Sequence, residues 1–324
     1  MARKTLETWI ADSKLDAPIA VIFGMAADCA IEIAVALRMA SVAGDTGAAQ
    51  TVNVQGEVQK KLDVVANDIF LRRGRATGVL AAMVSEELDE IELVENARNA
   101  RHALVFDPLD GSSNLEINGA VGSIFSVLDL GKSENVGTDD VLQPGSGQVA
   151  AGYVLYGPAT LLVLTTGRSV SIFSLDEASA SFVLVNEKVE IPAESAEFAI
   201  NASRQSRWYP ATRGFIDACI AGKSGPFGKS YNMRWCAAMV ADLHRILCRG
   251  GVFLYPEDED TKAKGGRLRL LYEANPMSMI IEAAGGASTT GTERILDVVP
   301  TSLHQRIGII IGSRDEIERA KSFY

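Results

Sequence analysis

The chain has 324 residues, 47% hydrophobic and 22% charged, the balance of a soluble globular protein long enough to bury more than one core. Its formal net charge of -10 argues against a general nucleic-acid binder and against an anionic membrane surface, because both need a basic footprint. A small anionic substrate stays admissible, provided that arginines or divalent metal supply positive charge at the site.

From Asp28 to Ala43, alanine, isoleucine, leucine and methionine dominate until Gly44-Asp45, which predicts a helix with a largely buried face. Val58 to Leu71 predicts a second helix with Leu62, Val65 and Ile69 on one stripe; Asp63 and Asn67 then lie off that stripe, with Asp63 bordering a cleft. A strand at Ala103 to Phe106 enters the loop Asp107 to Asn114, and a strand at Ser123 to Leu130 follows. Further strands are predicted at Gln148 to Leu155, Thr160 to Thr166, Val170 to Leu175 and Phe182 to Val185. Val149 to Leu164 reads as the most apolar stretch, too short to span a bilayer and broken by Gly157-Pro158, so it is two strands and a turn.

Around Lys188 to Ser195 the chain turns polar with Pro192, which divides it into an N-terminal domain over 1-190 and a C-terminal domain over 191-324. The second half alternates: a strand near Phe198 to Asn201, helices at Tyr209 to Ala221 and Cys236 to Arg249, a strand at Gly251 to Tyr255, and a helix after Pro276. The expected fold class is therefore α/β, with alternating layers of helices and mixed sheets. The charged segment Glu257 to Lys264 reads as an exposed loop. Cys29, Cys219, Cys236 and Cys248 share no CxxC spacing, and Met1 to Ile10 carries charges and a Trp instead of an apolar leader core. A zinc site is not expected, and the cytosol is the default compartment.

The sharpest local feature is Phe106-Asp107-Pro108-Leu109-Asp110-Gly111-Ser112-Ser113-Asn114 after a predicted strand. Pro108 biases Asp107 toward extended backbone, and two carboxylates three residues apart in a constrained turn reach one hard cation. Gly111, Ser112, Ser113 and Asn114 offer N–H groups, hydroxyls and a helix start, which together receive a phosphate. For a bare Asp-Pro-x-Asp, a helix-capping turn is the competing explanation. Upstream, Ser85-Glu86-Glu87 offers adjacent carboxylates pointing in different directions, so that one holds metal while the other handles a proton. Alone, such a pair is usually a solvated surface.

Over most of its length the chain resembles class I fructose-1,6-bisphosphatase, within the inositol phosphatase-like superfamily. The resemblance is carried in order by Gly56 with Lys60-Lys61-Leu62-Asp63-Val64, Ser85-Glu86-Glu87, Phe106 to Asn114, Val240-Ala241-Asp242, Gly250 to Pro256, Leu268 to Pro276 and Leu303-His304-Gln305-Arg306. It implies a two-domain sugar phosphatase fold that hydrolyses the 1-phosphate of fructose 1,6-bisphosphate with metal-activated water. It further implies two or three magnesium ions per site, with manganese as an alternative. Their ligands would be Glu86, Asp107, the Leu109 carbonyl, Asp110 and Glu273, with Glu57 near a further ion where the family has an aspartate. Asp63 and Glu87 match the family's proton-relay pair. Asp110, Gly111, Ser112 and Ser113 match its reacting-phosphate site, and Asn201, Arg234, Tyr255 and Arg267 its distal-phosphate site.

The chain departs from animal relatives at Trp235 and Arg204, where those carry tyrosines, and at Arg267, where they carry lysine. Trp for Tyr keeps an aromatic wall and loses a phenolic hydrogen bond, while Arg for Lys adds a bidentate fork. The string Asn232-Met233-Arg234-Trp235 resembles bacterial carbon-fixing members, some of which also act on sedoheptulose 1,7-bisphosphate. The resemblance implies a homotetramer in which Arg234 reaches a neighbouring site. It leaves the pathway open between gluconeogenesis and carbon fixation. At the family's AMP pocket this chain carries Asp16-Ala17, Arg101-His102 and Asp129, so AMP inhibition is expected to be weak or absent. His102, His244 and His304 receive no catalytic role. The alternatives are a sedoheptulose-1,7-bisphosphatase or dual enzyme, an inositol phosphate phosphatase, and a silent sugar-phosphate sensor.

Overall fold

The computed structural model describes residues 3–43, 48–52, 58–95, 100–131 and 135–324; Gly56 and Glu57 lie outside the described residues. Helices α1 (Leu6–Asp12) and α2 (Ala17–Ala43) come first. α2 starts well before Asp28, because Pro18 falls in the first turn, where its missing N–H has no intrahelical partner to lose. Its Ala17–Ala40 segment has mean hydropathy 2.1 and is, by length and composition, apolar enough to cross a membrane; this, not Val149 to Leu164, is the chain's long apolar run. It is a core helix here, burying Ile22, Phe23, Ala26, Cys29, Ala30 and Ile33.

Strands β1 (Ala48–Val52) and β2 (Val58–Lys60) pair antiparallel, so Val58 to Lys60 is strand and helix α3 begins at Lys61 (Lys61–Ala76). Eight strands then form one sheet: β3 (Leu80–Ser85), β4 (Glu92–Leu93), β5 (His102–Asp110), β6 (Val121–Asp129), β7 (Gln148–Tyr156), β8 (Thr160–Thr165), β9 (Val170–Asp176) and β10 (Ser181–Asn186). Their order is β10-β9-β8-β7-β6-β5-β3-β4, antiparallel except for the β3–β5 pair. The short helix α4 (Thr138–Val141) lies in the β6–β7 connection.

The rest of the chain supplies β11 (Glu197–Ile200), α5 (Pro210–Ile220), β12 (Asn232–Met233), α6 (Met239–Arg249), β13 (Val252–Tyr255), β14 (Leu268–Arg269), α7 (Asn275–Ala283), β15 (Ala287–Thr289), β16 (Arg306–Ile307), β17 (Ile309–Gly312) and α8 (Arg314–Lys321). Five of these strands form a mixed sheet, β12-β11-β13-β17-β15, and β14 pairs with β16. Alternation along the strands sorts the side chains into layers. Leu104, Phe106, Phe125 and Phe173 pack on α1–α3, while Ile124, Tyr153 and Val163 face α6 and α7 on the other side. Phe253, Ile309 and Ile311 close that second layer from the five-stranded sheet, whose far face packs Phe198, Leu254 and Ile310 on α5 and α8.

Three further expectations change. β5 continues through Asp110, so the two aspartates belong to a strand and not to a loop. α6 begins at Met239, after an extended Ala238, and the Cys236 N–H donates to Asp242 Oδ1 at 2.9 Å. The Glu257 to Lys264 segment is not wholly exposed: Asp258 is 3% exposed, its charge offset by the Arg204 guanidinium at 2.7 Å and 2.8 Å.

The Phe70 ring of α3 stacks on Phe106 of β5, with centroids 4.9 Å apart. Both are fully buried, so Phe70→Ala is expected to cost about 3–5 kcal/mol and to lower the urea midpoint of unfolding.

Candidate active site

Asp107 lies opposite Ile124 and Asp110 opposite Gly122, so three steps along β5 span two along β6. In a regular strand, residues three apart point to opposite faces; the extra residue is a β-bulge that returns both carboxylates to one side. Ser123 Oγ donates to the Pro108 carbonyl at 2.7 Å, and the Leu109 N–H donates to Asp107 Oδ1 at 2.9 Å, which pins the bulge. Asp110 Oδ2 accepts the Val240 N–H at 2.8 Å in the first turn of α6, where unpaired N–H groups favour an anion.

The third carboxylate is Glu273, on the single π-turn Leu270–Ala274 that leads into α7. Oxygens of Asp107, Asp110 and Glu273 all lie within 4.8 Å of one another, and all three residues are buried. The Glu86 N–H donates to the Phe106 carbonyl at 3.1 Å, which brings Glu86 alongside the same strand. Its carboxylate meets the Arg269 guanidinium at 3.5 Å. Arg269, 3% exposed, also donates its backbone N–H to Glu273 Oε2, so one residue restrains two of the acids.

Two like charges about 4 Å apart repel by about 4 kcal/mol at an effective dielectric of 20, so several full charges do not coexist here without a counter-ion. Burial, then Glu86, holds the Asp107 carboxyl well above the usual range; burial pushes Asp110 up to about 7. A buried, oxygen-only donor set in which burial holds both aspartates' protons above the usual carboxylate range fits a hard divalent ion such as magnesium, whose charge replaces those protons.

Asp63, 5% exposed, and Asn67, 7% exposed, sit one turn apart on the buried face of α3, whereas Val65 is 40% exposed. The predicted stripe is thus displaced: α3 presents Leu62, Asp63, Ala66, Asn67 and Phe70 inward, because the surface it covers carries polar groups at the end of β3. Ser85, the last residue of β3, donates to Asn67 Oδ1 at 2.6 Å and accepts the Glu87 N–H at 3.2 Å.

After β5 comes a 3-10 turn, Ser112–Ile117, entered through Gly111 at φ 75°. A Cβ there would lie 2.5 Å from the Ala238 Cβ, so only glycine lets the two backbones approach. Asn114 Nδ2 donates to the Ala120 and Cys236 carbonyls, tying this turn to the segment before α6. That segment carries Arg234, exposed, and Trp235, which stacks on Phe253 with centroids 5.7 Å apart and lies 5.7 Å from the Tyr255 ring. Asn201 caps its own turn, its Oδ1 accepting from Ser203 N at 3.2 Å, and Arg267 is exposed.

The structure therefore gathers Asp107, Asp110, Glu273 and Glu86, sets Gly111 to Asn114 beside them, and links α3, the helix that carries Asp63, to the Glu87 backbone through Asn67 and Ser85. It also groups Trp235 with Tyr255. Glu57 lies outside the described residues. Sequence reasoning missed Arg269, Asn67 and Asp242; only burial distinguishes them, since each sits in an ordinary helical or strand context. His244 is structural as expected, with Tyr153 Oη 2.7 Å from its Nδ1.

A carboxyl raised in the folded state stays protonated where the unfolded chain has already ionised, so it costs stability as pH rises from about 4 to about 7. The metal-free protein should accordingly lose thermal stability between pH 5 and pH 8. Magnesium should flatten that slope and release protons on binding at pH 6.5, read by calorimetry in buffers of different ionisation enthalpy.

Comparison with known proteins agrees with this geometry. The fructose-1-6-bisphosphatase N-terminal domain model matches residues 12–187, and the C-terminal domain model matches residues 191–324. The solved holo form of Leishmania major fructose-1,6-bisphosphatase is 34% identical, covers 100% of this chain and 99% of its own, and superposes with a TM-score of 0.94. Matched from Asp12 to the last residue by both halves of one family, the chain belongs to the fructose-1,6-bisphosphatases, divalent-metal phosphatases that hydrolyse fructose bisphosphate.

Proposed function

We propose that the chain releases the 1-phosphate of fructose 1,6-bisphosphate, with magnesium held by Glu86, Asp107, the Leu109 carbonyl, Asp110 and Glu273. The observation that carries this reading is the buried convergence of Asp107, Asp110 and Glu273 beside the Gly111–Asn114 turn. When bound, the divalent ions neutralise charge on the transferring phosphoryl group and acidify an attacking water. Gly111, Ser112 and Ser113 receive the phosphate through backbone N–H groups and hydroxyls. Glu87 and Asp63 take the proton of the attacking water, Glu87 from the turn after β3 and Asp63 from α3. Two units, 1-190 and 191-324, divide the work: the first supplies most acids, the second Glu273 and the distal-phosphate groups Asn201, Arg234, Tyr255 and Arg267. Glu57 would serve a further ion, with manganese as a substitute metal.

A second substrate is favoured by the distal wall. Trp235 lies flat on Phe253, within 6° of parallel, and offers no phenol, while Arg204 is committed to Asp258 and Asp260. This wall selects less sharply by hydrogen bonding, and it supports action on sedoheptulose 1,7-bisphosphate, in the manner of the bacterial carbon-fixing type. Arg234 is exposed beside the edge strand β12, which supports a homotetramer in which it reaches a neighbouring site. The four free cysteines support the cytoplasm as compartment.

Steady-state phosphate release decides the matter. Both sugar bisphosphates should be cleaved in magnesium, with activity falling to background in chelator; release unaffected by chelator, or from inositol phosphates alone, would refute the assignment. Asp129, paired with Arg101 at 3.1 Å, stands in place of the arginine that the family's AMP pocket uses, and so offers a nucleotide phosphate no cation at that position. AMP at micromolar concentration should therefore leave the rate unchanged, and half-inhibition there would overturn this point.

A further inference from the structure

We propose that Asn67 and Ser85 are positioning residues that set the orientation of Glu87 relative to Asp63, resting on the assignment of those two acids to proton handling. Ser85 is 1% exposed, and its single hydroxyl does two things at once: it donates to Asn67 Oδ1 at 2.6 Å and accepts the Glu87 N–H at 3.2 Å. Asn67 stands one helical turn beyond Asp63 on the same buried face of α3. One hydroxyl proton and one lone pair thus connect the helix bearing one acid to the backbone of the other.

The neighbouring metal-site acid is held differently. The Glu86 N–H goes to the Phe106 carbonyl at 3.1 Å, and the Leu88 N–H closes the turn onto the Ser85 carbonyl at 3.3 Å. Neither bond uses the Ser85 hydroxyl. Removing that hydroxyl therefore leaves Glu86 anchored and releases only the Glu87 amide and the Asn67 acceptor. Stability alone does not call for this pair: two apolar side chains of similar shape can replace a buried hydrogen bond at nearly no net cost. What an apolar pair does not supply is direction, since a hydrogen bond weakens steeply off its axis.

The test uses the full-length protein, four single variants and one double variant. Ser85→Ala should lower kcat by about 10- to 100-fold, the scale of a small misplacement of a reacting group, with KM within about threefold. Binding of manganese to the metal-free protein, followed by the resonance signal of the free ion, should stay within about threefold of wild type. In a Glu87→Gln background, Ser85→Ala should add no further loss, because there is then no carboxylate left to aim. Ser85→Thr, which keeps the hydroxyl, should recover most of kcat. Asn67→Ala breaks the same link from the helix side, and carries the test if Ser85→Ala does not fold. An unchanged kcat, an equal weakening of manganese binding, or losses that add to those of Glu87→Gln would overturn the proposal. If Glu87→Gln itself keeps full kcat, the proton-handling assignment is what fails, and the positioning role falls with it; an inactive Glu87→Gln beside a fully active Ser85→Ala refutes the positioning role alone.

Discussion

Mutual repulsion among buried carboxylates is the constraint on which this molecule turns. Asp107, Asp110 and Glu273 stand within 4.8 Å of one another, with Glu86 close enough to raise the Asp107 carboxyl further. Such an arrangement is unfavourable for the bare chain and exists only because the surrounding fold over-determines it. The restraints are specific: a bulge in β5 pinned by Ser123, two N–H groups from the first turn of α6, and Arg269 bridging Glu86 and Glu273. Each restrains an acid without neutralising the cluster as a whole, and so preserves its appetite for divalent cations.

The layered architecture explains how segments far apart in sequence meet. The eight-stranded sheet carries Asp107 and Asp110 on a central strand, while α6, α7 and the π-turn before α7 come from the second half of the chain and pack against that sheet's inner face. The acids therefore sit where the two halves join, and neither half alone assembles them. The contact is close: Gly111 lies flush against Ala238, and Asn114 holds the Cys236 carbonyl. Asp242 then anchors the Cys236 N–H, and Ala237 is held at φ 61°, a conformation non-glycine residues adopt only when their surroundings impose it. Through this segment the Gly111–Asn114 turn and the stretch carrying Arg234 and Trp235 share one support.

Polar groups in the interior follow one pattern. Asp258 offsets its burial against Arg204, and Glu316, fully buried, against Lys229 and Arg319. Those are paired charges that stabilise local geometry. The acid cluster differs in setting three buried carboxylates within 4.8 Å of one another, the arrangement of a cation site and not of a structural ion pair.

Much of this was readable from the chain. The strands from Gln148 to Asn186 follow from β-branched and aromatic runs bounded by turn residues, and the Asp107 to Asn114 string pointed to metal beside phosphate because its residue types have few other uses together. What sequence reasoning got wrong has a common origin. It assigned the two aspartates to a loop, placed Asp63 and Asn67 off the buried stripe, and called Glu257 to Lys264 wholly exposed, each time by letting polarity stand for exposure. It also began α2 too late, since a helix apolar all round has no period to mark its start.

Local side-chain chemistry, which is a property of neighbours along the chain, determined the element types, the family resemblance and the kind of ion and substrate. Tertiary structure decided which acids converge, why residues three apart in β5 face the same way, and how Asn67, Ser85 and Arg269 come to lie beside them. The physical reason is that burial and strand register depend on partners distant in sequence, and no local pattern encodes a bulge or the neighbour that makes a buried charge tolerable.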